Sequence, residues 1–217
     1  MADIFHEVDE DVRRERLQKL WERYSIYLAG LAIVIVAGIG GWRGYLWWEG
    51  KQAAIAGAKF EAALTLSEEG KHAEAEQAFA KIAAEAPAGY RVLARFRSAG
   101  EIALDKPADA VKAYDQIAAD GALSQTLRDL AGLRAGMLLL DTASLADLKN
   151  RLDPLAEPRR DFRASARELL ALAAWHNHDV TAAKHYLDML EGDAETPQGV
   201  RARAQVLSAL IAASGKS

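Results

Sequence analysis

The chain has no cysteine. Disulfides, thiolate metal ligands and cysteine nucleophiles are excluded together, so packing and polar contacts alone must hold whatever fold it has. Proline is scarce, five in 217 residues, and aromatic side chains make up only 7%. Outside one apolar run there are few clusters of Val, Ile and Thr, which leaves little to build strands from. An excess of one charge is missing too. The net charge is -4, with seven acids and five bases in residues 1–23 and twenty-four against twenty-two in the rest. Neither part has the basic surplus on which nucleic-acid binding depends. No G-x-S-x-G, phosphate-binding loop or dinucleotide fingerprint occurs. What remains is 51% hydrophobic and rich in alanine, a composition that predicts an all-α chain.

One stretch stands apart. From Tyr24 to Trp42 the chain runs nineteen residues without a charge, and at about 1.5 Å per residue that helix spans about 28 Å, close to the hydrocarbon thickness of a bilayer. Trp21, Tyr24 and Tyr27 lie at one end and Trp42, Tyr45, Trp47 and Trp48 at the other, where amphipathic rings settle at headgroup level. A signal peptide would have a short basic leader and a prompt cleavage site, and a core helix would carry charge on some face; neither describes this run. It predicts a single transmembrane helix over residues 24–48. Arg13, Arg14, Arg16, Lys19 and Arg23 precede it, whereas only Arg43 and Lys51 follow closely. Positive-inside counting then makes residues 1–23 a cytoplasmic tail and exports residues 49–217, in a bacterium to the periplasm. Within the tail, Glu10 with Arg14 and Glu15 with Lys19 have the i,i+4 spacing that supports a helix.

Beyond the anchor the periodicity predicts helices near 52–68, 72–85, 88–103, 107–119, 124–140, 144–153, 160–176, 179–190 and 197–213, with Pro87, Pro107, Pro154, Pro158 and Pro197 at the breaks. Asp105, Ser144 and Thr196 are the expected starts. Ala75 and Phe79, Ala110 and Tyr114, and Ala182 and Tyr186 repeat an alanine followed four residues later by an aromatic, at intervals of 35 and 72 residues. That is the pattern of the tetratricopeptide repeat, in which a small residue lets two helices approach and the ring fills the seam. Leu145, Leu148 and Leu152 mark a degenerate unit between, and Gly70 the first hairpin turn. The predicted architecture is an N-terminal transmembrane helix followed by a tetratricopeptide-like α-solenoid, closed by the helix after Pro197.

With GIGGWRGYLWWEGKQ (Gly38 to Gln52) leading into AIAGAKFEAALTLSEEGKHAEAEQAFAKIAAEAPAGY (Ala54 to Tyr90), the chain resembles the YfgM-like family of ancillary SecYEG translocon subunits. The resemblance implies a non-enzymatic role at the inner membrane beside the translocon, with Sec subunits, unfolded secretory proteins and periplasmic chaperones as partners. It implies no catalytic residue and no cofactor.

Three sets of residues are candidates for function. Arg95, Arg128, Arg134, Arg163 and Arg167 fall on first helices of hairpins, the helices that line the concave face of such arrays, where arginine can pair with carboxylates of an extended segment; the alternative is an ordinary charged face. Gly40 and Gly44 form a G-x-x-x-G on which another membrane helix, a partner's or a second copy's, could pack. His176, His178 and His185 with Asp179 match no zinc spacing and read as a wet turn. Orientation is directly testable. A reporter active only outside the cytoplasm should work when fused after Ser217 and be silent when fused before Asp9.

Overall fold

The computed structural model describes backbone for residues 3–214 and side chains for Trp21 and from Arg23 onward. The fold is all-helical, and no strand occurs among these residues. The helices are α1 (Asp3–Glu68), α2 (His72–Glu85), α3 (Ala88–Asp105), α4 (Pro107–Ala118), α5 (Gln125–Leu139), α6 (Leu145–Ala156), α7 (Arg163–His176), α8 (Val180–Gly192) and α9 (Gln198–Ser214). The Glu10–Arg14 and Glu15–Lys19 pairs lie outside the described side chains.

The apolar run and the expected helix 52–68 are one 66-residue helix. Between them Glu49, Gly50, Lys51 and Gln52 offer no proline and no Ser, Thr, Asn or Asp cap, and a single glycine costs about 1 kcal/mol without ending a helix. α1 stops at Gly70, whose φ of 77° is left-handed. Lys71 N–H donates to Leu66 O and Gly70 N–H to Ser67 O, satisfying carbonyls of the last turn.

The chain divides into two units, Met1–Ala54 and Ile55–Ser217. In the first, every large apolar side chain from Ile26 to Trp48 is exposed, Val34 at 68% and Trp47 at 69%. This helix is long and apolar enough to cross a membrane.

The second unit is a row of hairpins. The end of α1 pairs with α2, α3 with α4, α5 with α6 and α7 with α8, and α9 packs on the last pair. Its apolar core falls into three successive clusters rather than one. Ala56, Ala63, Ala75, Phe79, Ile82 and Ala94 join α1, α2 and α3; Ala99, Tyr114, Ile117, Ala131 and Ala135 join α3, α4 and α5; and Leu133, Leu152, Leu170, Leu187, Leu190 and Leu207 belong to the cluster from α5 to α9. Ala75 and Ala110 are completely buried, as their repeat position requires. In the last hairpin the register moves by one. Ala183 is fully buried and Ala182 only half-buried, because the α7–α8 turn places left-handed His178 five residues ahead of Ala183, as Gly70 stands ahead of Ala75.

Three expected boundaries fall differently. Pro154 lies inside α6 rather than at its end; it removes one backbone donor, but the buried Leu155 and Ala156 hold the final turn against α5 and α7. Asp105 is the last residue of α3 and Lys106 takes the cap position of α4, its carbonyl accepting from Asp109 and Ala110 N–H. Thr196 is buried and donates to Leu190 O at 2.8 Å, tying the end of α8 to the loop before α9. Ser144 does cap α6, accepting from Asp147 N–H at 3.1 Å.

The degenerate third hairpin is built by exchange of sizes. Where its neighbours carry alanine and an aromatic, α6 presents fully buried Leu148 and Leu152, and α5 answers with Gly132 and Gly136. A Cβ at Gly136 would lie 2.7 Å from Leu152 Cδ2 and 3.2 Å from its Cγ. Gly136→Val should therefore destabilise the fold by roughly 1 to 3 kcal/mol through overpacking. Combining it with Leu152→Ala should recover part of that loss in thermal melts of the full chain, whereas simple additivity would show that the two residues do not share this seam.

Candidate functional site

First helices repeat a short pattern. Leu93-Ala94-Arg95-Phe96-Arg97 on α3 is matched 37 residues later by Leu130-Ala131-Gly132-Leu133-Arg134 on α5. In both, the alanine is completely buried and the final arginine exposed, so the two arginines occupy the same register on adjacent helices. Leu93, Arg97 and Leu104 follow one exposed stripe of α3, and Arg134 and Met137 one stripe of α5; Leu93 is 53% exposed, Leu104 65% and Met137 48%.

Tyr114 of α4 reaches between these helices. Its ring packs on Phe96 at 6.1 Å, and a Cβ at Gly100 of α3 would stand 3.7 Å from its hydroxyl. Burial pushes the phenol's pKa up, while Arg134 and Arg97 pull it back, so both guanidiniums act on the same ring. Neither arginine has an ion-pair or hydrogen-bond partner among the described residues.

The other four arginines expected on this face are engaged within the chain. Arg95 points along its own hairpin and donates to Asp120 Oδ2 at 2.6 Å. Arg128 donates to Gln125 Oε1 at 2.6 Å, and its Nε is buried without a partner. Arg163 donates to Asp193 at 2.6 and 3.2 Å and also to Glu195. Arg167 is only 4% exposed and donates to Ala156 O at 3.0 Å, Met189 O at 3.3 Å and Asp193 Oδ2 at 2.8 Å. Four residues apart on α7, Arg163 and Arg167 both reach one aspartate in the α8–α9 loop. Arg97 was missed because Arg91 and Arg95 precede it on the same helix and spacing alone does not single it out; the signal is the repeated Leu-Ala-x-x-Arg register.

The histidine group is spent locally. His178, at φ 60°, closes α7 in the place glycine usually takes, with Asp179 N–H donating to Ala174 O. Asp179 caps α8 by accepting from Ala182 N–H at 2.9 Å, and His185 packs its ring on Tyr186 at 5.3 Å. On the first unit, a Cβ at Gly40 or Gly44 would meet nothing within 4 Å.

Residues 18–185 match a family model described as a tetratricopeptide repeat-like domain. The chain belongs to that family. The match begins ahead of the apolar run and continues through the first three hairpins into α8 of the fourth, and repeats of this kind generally mediate protein–protein interactions. No curated protein and no solved structure matches the chain significantly.

The Arg163–Arg167–Asp193 network also sets an acid limit to stability. Arg163 first, then the Glu195 N–H and Arg167, hold the Asp193 carboxyl well below the usual carboxylate range despite the opposing effect of burial. A carboxyl so depressed contributes stability at pH values above its unfolded value of about 4, and that contribution is lost as the pH falls below it. Asp193→Asn should lower the melting temperature most at neutral pH, and the gap to wild type should narrow as the pH approaches about 2. A gap of constant size across that range would mean that the charge of Asp193 is not what holds the loop.

Proposed function

We propose that the chain is a single-pass membrane protein whose solenoid binds polypeptide partners. Residues 24–48 cross the membrane, residues 1–23 form a cytoplasmic tail and residues 49–217 lie on the far side, the periplasm of a bacterium. The role that fits best is an ancillary subunit of the Sec translocon that links emerging secretory proteins to periplasmic chaperones. One observation carries the reading. A continuous helix exposes every large apolar side chain from Ile26 to Trp48, a state that water disfavours and lipid relieves, and the same chain is an interaction-repeat protein. The family match extends over both the apolar run and the repeats, which supports reading them as one working unit.

A second reading is favoured by the glycines. A Cβ at Gly30, Gly38, Gly40, Gly41 or Gly44 would meet nothing within 4 Å among the described residues, which leaves the helix surface around Gly40 and Gly44 open for close approach of another helix. If the occupant is a second copy, the protein is a self-associating envelope scaffold that organises other membrane machinery. Photocrosslinkers placed at Gly40 and at the exposed Asp141, just past the end of α5, with adducts identified by mass from cells, separate the two. The translocon role predicts Sec subunits from position 40 and secretory or chaperone polypeptides from position 141. The scaffold role predicts the chain's own mass from position 40, and recovery of lipid alone at 40 with nothing at 141 would contradict both.

A further inference from the structure

From Ile55 onward, Arg97, Arg134 and Arg159 have no hydrogen-bond or ion-pair partner among the described residues, and of these Arg97 and Arg134 share one register on first helices. The unit from Ile55 onward is nearly balanced in charge, and Arg95, Arg151, Arg160, Arg163, Arg167 and Arg203 all have carboxylate partners there. Each follows a fully buried alanine by three residues, on α3 and α5, and these helices share the apolar cluster that holds Tyr114. Like charges so placed repel, and an anion between them relieves the repulsion. Tyr114 hydroxyl has no hydrogen-bond partner among the described residues either. The three side chains therefore offer two planar cationic donors and one phenolic donor, none engaged among the described residues, which is the donor set that carboxylates accept from in bidentate fashion.

The surroundings decide what carries the carboxylate. Leu93 and Leu104 on α3 and Met137 on α5 expose about half or more of their surface beside the arginines. A small inorganic anion would gain nothing from that apolar rim. A polypeptide segment with apolar side chains next to its acid would cover it, and arginine stems extend the same apolar surface.

We propose that Arg97, Arg134 and the Tyr114 hydroxyl form a carboxylate-reading site for an acidic segment of a partner polypeptide, with Leu93, Leu104 and Met137 receiving the apolar residues that flank the acid. The site rests on the interaction role above and gives it a chemistry: acidic-apolar segments are held and basic ones are refused.

The test uses the full chain in detergent micelles or nanodiscs and three short fluorescein-labelled peptides. One alternates Asp with Leu and Phe, the second replaces Asp by Lys, and the third replaces Leu and Phe by Ser. Fluorescence anisotropy should show binding of the first only, weakening as salt rises to physiological strength. Arg97→Glu with Arg134→Glu should weaken it roughly tenfold or more, and Arg97→Gln with Arg134→Gln less, with helix content unchanged by circular dichroism. Tyr114→Phe should weaken it several-fold. Arg159→Glu with Lys184→Glu, the same charge change at exposed positions elsewhere, should leave it intact. Equal loss in that control, or unchanged binding in both double variants at Arg97 and Arg134, would overturn the site. If wild type ignores the acidic peptide while crosslinks in cells still recover partners, the site is wrong and the interaction role stands. If cells yield no partner either, both fall.

Discussion

A two-helix hairpin has more apolar surface than it can close on itself, and the surplus must be covered by the next hairpin. That dependence organises the unit from Ile55 to Ser217. Its core is three clusters in sequence, each shared between neighbours, and the polar links have the same range: Ser67 to Glu101, Asp115 to Arg151, Thr126 to Asp161, Asp153 to Tyr186 and Glu168 to Arg203 each connect residues 33 to 36 apart. Such a chain can tolerate a divergent unit provided both sides of a seam change together. Leucines on α6 against glycines on α5 are that compensation, since large-on-small packing preserves the volume that small-on-large supplied elsewhere.

The same dependence explains the end of the array. α9 stands where the first helix of a fifth hairpin would, burying Val200, Ala204, Leu207 and Ile211 against α7 and α8. Its other side leaves Val206 61% and Leu210 55% exposed, because no second helix follows to cover them among the described residues.

Charge is distributed by burial. Arg167, deep between hairpins, is surrounded by acceptors because an unpaired cation there would cost several kcal/mol. Arg97 and Arg134 lie in water, where leaving a cation unpaired costs little, so the fold can keep them for a partner. Tyr114, on the second helix of Arg97's hairpin, fills the seam as its repeat position demands, with its ring on Phe96 and its hydroxyl beside Gly100. A packing residue thus takes part in the proposed site.

Composition and periodicity by themselves determined the all-helical class, eight helices beyond the membrane run close to their bounds, the Gly70 turn, the Ser144 cap and the buried Ala75 and Ala110, because each follows from local propensity or from a spacing that sets one helix face. Ala182 against Ala183 was settled by a turn whose left-handed residue is a histidine, which propensity does not foresee. Pro154 was settled by the packing of Leu155 and Ala156, which outweighs one lost hydrogen bond. Which arginines are free was decided only by the tertiary structure. All five candidates occupy similar sequence contexts, and nothing local reveals that Asp193, 26 residues from Arg167 and 30 from Arg163, draws both inward while Arg134 and the unsuspected Arg97 find no carboxylate among the described residues. Helix position fixes the direction in which a side chain leaves the backbone; what it meets there depends on the neighbouring hairpin.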